Sequence, residues 1–300
     1  MTDAPNPMSS MEAVWMSETG APRVALIQFP GSNCEWETKA AAEAAGIQCD
    51  VFRWNLDPEL LSGYDGYIIG GGFSYQDRVR SGVIACKEPI VARMMTEVIQ
   101  RRKPVIGICN GAQVLVESGL IPGVSVGDVE MALAPNRADP ERRLAGFCCK
   151  WVHVKLACAP ERCRFTAHLE PGEVMPIPIA HGEGRFTTRD EDLVPTLKAG
   201  DQIVLQYCDA DGVVEDRPEI NPNGAVENIA ALCDPGGNVL AVMPHPERAS
   251  FLRQVPTDLG GVWSERRRAA YGDADALAQA GPGLRVFEAM REALAAALPV

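Results

Sequence analysis

Lys103-Pro104-Val105-Ile106-Gly107-Ile108-Cys109-Asn110-Gly111-Ala112-Gln113 decides the fold: an apolar strand stops at a cysteine that has a glycine two residues away on either side. That spacing marks a strand-to-helix elbow, in which small neighbours let the backbone turn tightly and point a nucleophile into a cleft. A helix starting at Asn110 would aim its unpaired N–H groups and positive dipole end at the sulfur, favouring thiolate over thiol. A cysteine that is only buried behind a core strand needs no glycine on both sides. The stretch predicts an α/β fold with Cys109 as its nucleophile.

The flanking chain repeats the same alternation. Residues 24–27 read as an apolar strand, the Ala-rich run 38–45 as a helix stopped by Gly46, and 50–54 and 67–69 as further strands. A helix is predicted over about 88–102, ahead of the strand under the elbow. Continuous apolar strands alternating with helices predict a mostly parallel central sheet with helices on both faces. The α/β pattern argues for one domain, 23–300, behind a polar, proline-bearing leader, 1–22, that is expected to be disordered. In such sheets ligands bind beyond the carboxyl ends of the strands, where Gly70, Cys109 and His245 all fall.

A thiolate nucleophile needs a base and a group to orient it, and the chain has four histidines. His245 ends an apolar run, Val239-Leu240-Ala241-Val242-Met243-Pro244-His245-Pro246-Glu247-Arg248, with a carboxylate two residues on. In extended chain both side chains would lie on the same side of the backbone, so Glu247 could hold the imidazole while its other nitrogen faces the thiol. Gly70-Gly71-Gly72 after the 67–69 strand lets backbone N–H groups approach a substrate, as an oxyanion hole requires. His181 and Glu183 form a second His-x-Glu pair, but Gly182 and Gly184 around them suggest a close-approach loop instead. His153 and His168 receive no role. The cysteines show no paired spacing of the kind that holds zinc, so no metal site is expected.

Gly107-x-Cys109-x-Gly111-x-Gln113 followed far downstream by His245-x-Glu247 resembles the class I (triad) glutamine amidotransferases. The likeness runs from about Arg23 to Arg248 and resumes at Leu284. It implies Cys109 as nucleophile, His245 as base and Glu247 as orienter, acting on the side-chain amide of L-glutamine through a thioester. It further implies oxyanion and substrate contacts from Gly71, Gly72, Asn110, Gln113, His181, Gly182 and Glu183. Ala180-His181-Gly182-Glu183-Gly184-Arg185-Phe186 and Asn221-Pro222-Asn223-Gly224 narrow the resemblance to the branch that serves purine biosynthesis. One departure is Gln76, where that branch usually has glycine. Two others are an expansion over 134–143 around Asn136 and an insertion over 249–283, which carries Arg266-Arg267-Arg268 and the aromatic pair Trp263 and Tyr271 and could be a solvated excursion or a docking element; the charge run favours the solvated excursion. The closing helix is expected over about 284–298.

The resemblance implies partners as well. The chain has no phosphate-binding Gly-x-x-x-x-Gly-Lys-Ser/Thr loop. No cofactor is therefore expected in it, and ATP and magnesium are expected on a separate large synthetase subunit, joined by a small bridging subunit, that receives the ammonia. Other readings are a glutaminase feeding a different synthetase, such as those making GMP or CTP, and a non-catalytic regulator or chaperone on the same fold. A formal charge of -12 argues against nucleic acid or an anionic membrane as partner. No run approaches the roughly 18 apolar residues of a membrane span. Ten cysteines, one of them a proposed thiolate, point to a reducing cytoplasm.

Overall fold

The computed structural model describes residues 20–137 and 146–297. The predicted leader falls almost wholly outside these residues, as does most of the expansion over 134–143. In chain order the elements are β1 (Arg23–Gln28), α1 (Glu35–Ala44), β2 (Gln48–Arg53), β3 (Gly66–Ile69), α2 (Pro89–Arg101), β4 (Val105–Ile108), α3 (Asn110–Glu117) and β5 (Ala132–Ala134). They continue with β6 (Cys148–Leu156), β7 (Val174–His181), β8 (Arg185–Thr187), α4 (Leu193–Ala199), β9 (Ile203–Cys208), β10 (Ile229–Cys233), β11 (Val239–Val242), α5 (Gly261–Ala269), α6 (Ala274–Ala278) and α7 (Leu284–Ala297).

Nine strands form one sheet in the order β2-β1-β3-β4-β11-β10-β9-β6-β7, and β5 pairs with β8 separately. The pairings from β2 through β11 are parallel, and it is this block that carries the elbow. Those from β11 to β7 are antiparallel, which lengthens the sheet beyond the parallel core that the sequence suggests. Strands β3, β4 and β11 are buried at every residue, which explains their unbroken apolar sequences: each is covered on both faces.

The two coverings can be read from the pleat. Ile69 lies opposite Gly107, whose missing side chain would strike Gly111 and Leu115 of α3. A Cβ at Gly66, on the other face, would strike Leu294 of α7 and touch Met290. Helix α2 starts with proline at its first turn, a position where the absent N–H has no partner to lose. Helix α3 is buried at all eight residues, so it is packed between the sheet and its neighbours rather than lying on the surface.

β7 closes one end of the sheet yet returns to the centre of the molecule. Pro176 and Pro178 stand opposite His153 and Trp151 of β6. At these positions the backbone N and O point away from β6, so the missing proline N–H groups cost no ladder bond. The outward carbonyls at this period-two spacing meet the site: Pro178 O accepts from His245 N at 2.8 Å, and Ala180 O from the Cys109 thiol at 3.6 Å.

The 249–283 excursion is less solvated than its charge run suggests. Chain exit and return are clipped together by Gly281 N to Ser250 O and Gly283 N to Ala249 O, both 2.9 Å. Inside, Leu252, Val255, Trp263 and Ala270 make a small core of their own. Trp263 is buried under the Arg266 guanidinium, at 4.3 Å from its ring, while Tyr271 remains in solvent. The aliphatic and delocalised parts of arginine cover apolar surface while its charge stays wet, so a charge run does not by itself mark a face without packing beneath.

Candidate active site

Cys109 follows β4 and occupies the N-cap of α3 with φ 51° and ψ −102°, a left-handed conformation rare for a side chain with a Cβ. Its N–H is held by Val242 O of β11 at 2.8 Å. The turn closes because Gly111 packs on β3: a Cβ there would collide with the Ile69 carbonyl. The first N–H of α3 to be used inside the helix is that of Gln113, to Cys109 O. The donors of Asn110, Gly111 and Ala112 are thus the free first-turn groups that face the thiol end of the helix.

The loop after β3 lies alongside. Gly72 has φ 143°, where a side chain would be strained, and Gly71 leaves no room for a Cβ between Cys34 Sγ and His245 Cε1. Gly71 O and Phe73 N are tied to Asn33 N and Gly31 O, which leaves the Gly72 N–H facing the other way. Gln76 adopts φ 61° between Tyr75 at 53° and Asp77 at 52°. A glycine at Gln76 would fit that backbone without strain, which is the physical content of the departure seen in the sequence.

His245 is almost wholly buried, and its Nδ1 lies 2.5 Å from Glu247 Oε1. The pairing expected from the sequence is present, but not by the expected route. Pro246–Ala249 is a 3-10 turn rather than extended chain, and the turn folds the carboxylate back onto the ring. Burial alone would discharge the imidazole. The Glu247 carboxylate and the Cys109 sulfur beside it outweigh burial and hold the imidazole well above its ordinary pKa. Nε2, the nitrogen left for the thiol, has no hydrogen-bond partner among the described residues.

A second thiol, Cys34, shares this pocket. It sits just beyond β1 at the head of α1, its Sγ taking the Arg248 guanidinium at 3.1 Å, and burial pushes the thiol pKa up. Donor atoms of Cys34, His245 and Glu247 lie within 4.8 Å of one another. The Arg248 cation on the sulfur and the Glu247 bond on Nδ1 make the trio unsuited to a metal ion. Sequence reading passed over Cys34, although a cysteine directly after the first strand of such a sheet lies where ligands collect.

The second His-x-Glu pair is built differently. His181 Nδ1 is 3.0 Å from Asn136 Oδ1, and the Asn136 amide donates to Gly146 O and His181 O. Those two donations fix Oδ1 as the acceptor, so His181 carries its proton on Nδ1. Burial and then the nearby His245 push its pKa down to about 4, which keeps it neutral. The Glu183 carboxylate turns elsewhere and accepts from Ser81 N at 3.0 Å. Gln113 Nε2 donates to Glu183 O at 2.6 Å, and Gln113 Oε1 accepts from Asn110 Nδ2 at 2.8 Å. Asn223, in the Asn221-Pro222-Asn223-Gly224 segment, braces the same loop through Gly184 O at 2.7 Å. Cys109, His245, Glu247, Gly71, Gly72, Asn110, Gln113 and His181 through Glu183 therefore lie together at the carboxyl ends of β3, β4 and β11. Asn136, buried and central to this group, was read only as part of an expansion.

Residues 21–292 match the family model of the CobB/CobQ-like glutamine amidotransferase domain, and the chain belongs to that family. Its relatives include the phosphoribosylformylglycinamidine synthase subunits PurQ of Methanothrix thermoacetophila, 43% identical over 90% of this chain and 97% of that protein, and of Pyrococcus furiosus, 41% identical over 76% and 89%. Among solved structures, one titled as PurLQS from Thermotoga maritima contains a chain that is 30% identical, covering 91% of this chain and 99% of that one, with a TM-score of 0.64. No described helix is long and apolar enough to cross a membrane.

Proposed function

We infer that this chain is the glutaminase subunit of phosphoribosylformylglycinamidine synthase: it hydrolyses L-glutamine to glutamate and ammonia, and a large synthetase subunit uses that ammonia. The observation that carries the reading is a single constellation. A cysteine on a strained elbow lies against a buried histidine whose far nitrogen is fixed by a carboxylate at 2.5 Å.

In the proposed reaction the Cys109 thiol has already passed its proton to His245, and the resulting thiolate attacks the amide carbon of glutamine. The oxyanion that forms is stabilised by the N–H groups of Gly72 and Asn110. The carbon–nitrogen bond then breaks, the His245 proton leaves with ammonia, and a thioester remains. Water, deprotonated by His245, attacks the thioester; the carbon–sulfur bond breaks, and glutamate is released as the thiol is restored. Glu247 keeps Nε2 directed at the sulfur throughout. Gln113, His181, Gly182 and Glu183 border the substrate.

ATP and magnesium belong to the synthetase in this reading, which converts formylglycinamide ribonucleotide to formylglycinamidine ribonucleotide, and a small subunit bridges the two. The cytoplasm is the proposed compartment, where the ten thiols stay reduced. Formation of formylglycinamidine ribonucleotide by this chain mixed with the synthetase and the small subunit tests the proposal. Glutamine is expected to drive it only with Cys109 intact, whereas ammonium drives it with Cys109→Ala present. Synthesis from glutamine by Cys109→Ala would refute the catalytic assignment.

A further inference from the structure

Arg248 closes the turn that carries the base and its orienter, its N–H bonded to His245 O at 3.1 Å, and the reaction as drawn gives its side chain no part. The guanidinium reaches from this turn to the head of α1. Its Nη2 donates to Cys34 Sγ at 3.1 Å and to Glu37 Oε1 at 3.3 Å, while its Nε lies 3.9 Å from Glu247 Oε1, the oxygen that already holds His245 Nδ1. The side chains of Arg248 and Glu37 are 36% and 32% exposed, whereas Cys34 and Glu247 are each 1% exposed. One cation therefore joins a wet carboxylate to a dry thiol and a dry carboxylate.

The end on α1 matters because the same short segment backs the oxyanion glycines. Ser32 pairs with Gly72 in an antiparallel bridge, Asn33 N donates to Gly71 O at 3.3 Å, and Cys34 O accepts from Thr38 N of α1 at 3.1 Å. Gly71 lies between Cys34 Sγ and His245 Cε1 with no space for a Cβ. Arg248 thus spans from the base turn to the chain that supports Gly72, across a layer one glycine thick.

Titratable groups meet here from several elements. His245 faces Glu247 on its own turn, Cys109 from the elbow, Cys34 from the head of α1 and the neutral His181 from β7. Arg248 faces Cys34, Glu247 and Glu37, and the excursion contributes the neutral Gln254, which donates to Glu247 O at 3.5 Å. Burial opposes the guanidinium's charge, but its three neighbours outweigh burial and hold its pKa above the ordinary value, so Arg248 stays a cation.

We propose that Arg248 is a positioning residue for glutamine hydrolysis: it ties the His245–Glu247 turn to the segment behind Gly71 and Gly72, and its fixed positive charge sets the pH range over which the Cys109–His245 pair is active. The inference rests on the function proposed above. A cation beside the pair favours loss of a proton from each member, thiol and imidazolium alike. Removing it raises both apparent pKa values of the pair, so both limbs of the pH profile move to higher pH. Loss of packing alone would lower the rate at every pH and leave the limbs in place.

Glutamate release from glutamine, followed across about pH 5–10 in the complex with the synthetase and small subunit, tests this. Arg248→Met keeps the reach of the side chain and deletes its charge. Its kcat is expected to fall roughly tenfold with KM within about twofold of wild type, and both limbs of kcat/KM to shift upward by about 0.5 unit or more. Arg248→Lys should return the limbs to their wild-type positions and recover most of kcat. Undiminished kcat or unmoved limbs in Arg248→Met overturn the proposal, as does an Arg248→Lys no better than Arg248→Met, which would assign the residue to packing. Should Arg248→Met fail to unfold cooperatively, Glu37→Gln decides: deleting the anion that faces the guanidinium should shift both limbs downward by a smaller amount, and limbs that stay or rise overturn the proposal. A wild-type complex that releases no glutamate refutes the reading of function itself.

Discussion

His245-Pro246-Glu247 and His181-Gly182-Glu183 have the same His-x-Glu spacing and lie close together, yet they do opposite things. In the first, a 3-10 turn folds the carboxylate onto Nδ1, and the imidazole is held above its ordinary pKa. In the second, the partner of Nδ1 is the neutral Asn136, the carboxylate serves Ser81, and the imidazole is held near 4. Charge on a buried histidine is set by what its ring touches, and sequence spacing does not determine that.

The sharpest way to break the contrast is to remove each ring. His245→Ala is expected to lower kcat for glutamine hydrolysis by about 10³- to 10⁴-fold, and His181→Ala by about tenfold or less. Comparable losses would mean that both histidines serve the thiol. The carboxylates come next. Glu247→Gln can present an amide donor to Nδ1 and so favour the wrong tautomer, and a loss of about 10²- to 10⁴-fold in kcat is expected. Glu183→Gln keeps an acceptor for Ser81 N, and its steady-state rate should fall by less than about fivefold.

Acid sharpens the comparison through stability. The unfolded chain binds a proton at His181 near pH 6.5, the folded chain only near 4. The stability this residue contributes is therefore present above pH 6.5 and lost as pH falls toward 4, by up to about 3 kcal/mol. Urea midpoints at pH 7.5 and 4.5 should differ less in His181→Asn than in wild type. Smallest of the set, Asn136→Ala leaves the His181 N–H and Gly184 N–H without their acceptor and should destabilise by about 1–3 kcal/mol at neutral pH, measured by the same unfolding curves.

The legible parts of this molecule were the local ones. Gly107, Cys109 and Gly111 disclose the elbow because a tight turn restricts the residues that can form it. Uninterrupted runs such as Val239–Val242 disclose buried strands. Asn136, Cys34 and the Ala180 carbonyl were not legible, since each acts on a residue tens of positions away, brought there by sheet order and register. Backbone carbonyls carry no residue identity, so β7's part in the site could only come from the fold. Trp263 misled because its neighbours are arginines, and arginine both charges a surface and covers an aromatic ring.

The prolines of β7 have a consequence apart from chemistry. A terminal strand of a nine-stranded sheet ordinarily offers a row of free donors and acceptors to any other extended chain, which is how edge-to-edge aggregates start. Here Pro176 and Pro178 remove two of the outward donors, and the Pro178 and Ala180 acceptors are already engaged by His245 and Cys109. That edge is closed to strand addition. Folding the active site against it disposes of a self-association hazard at the same time.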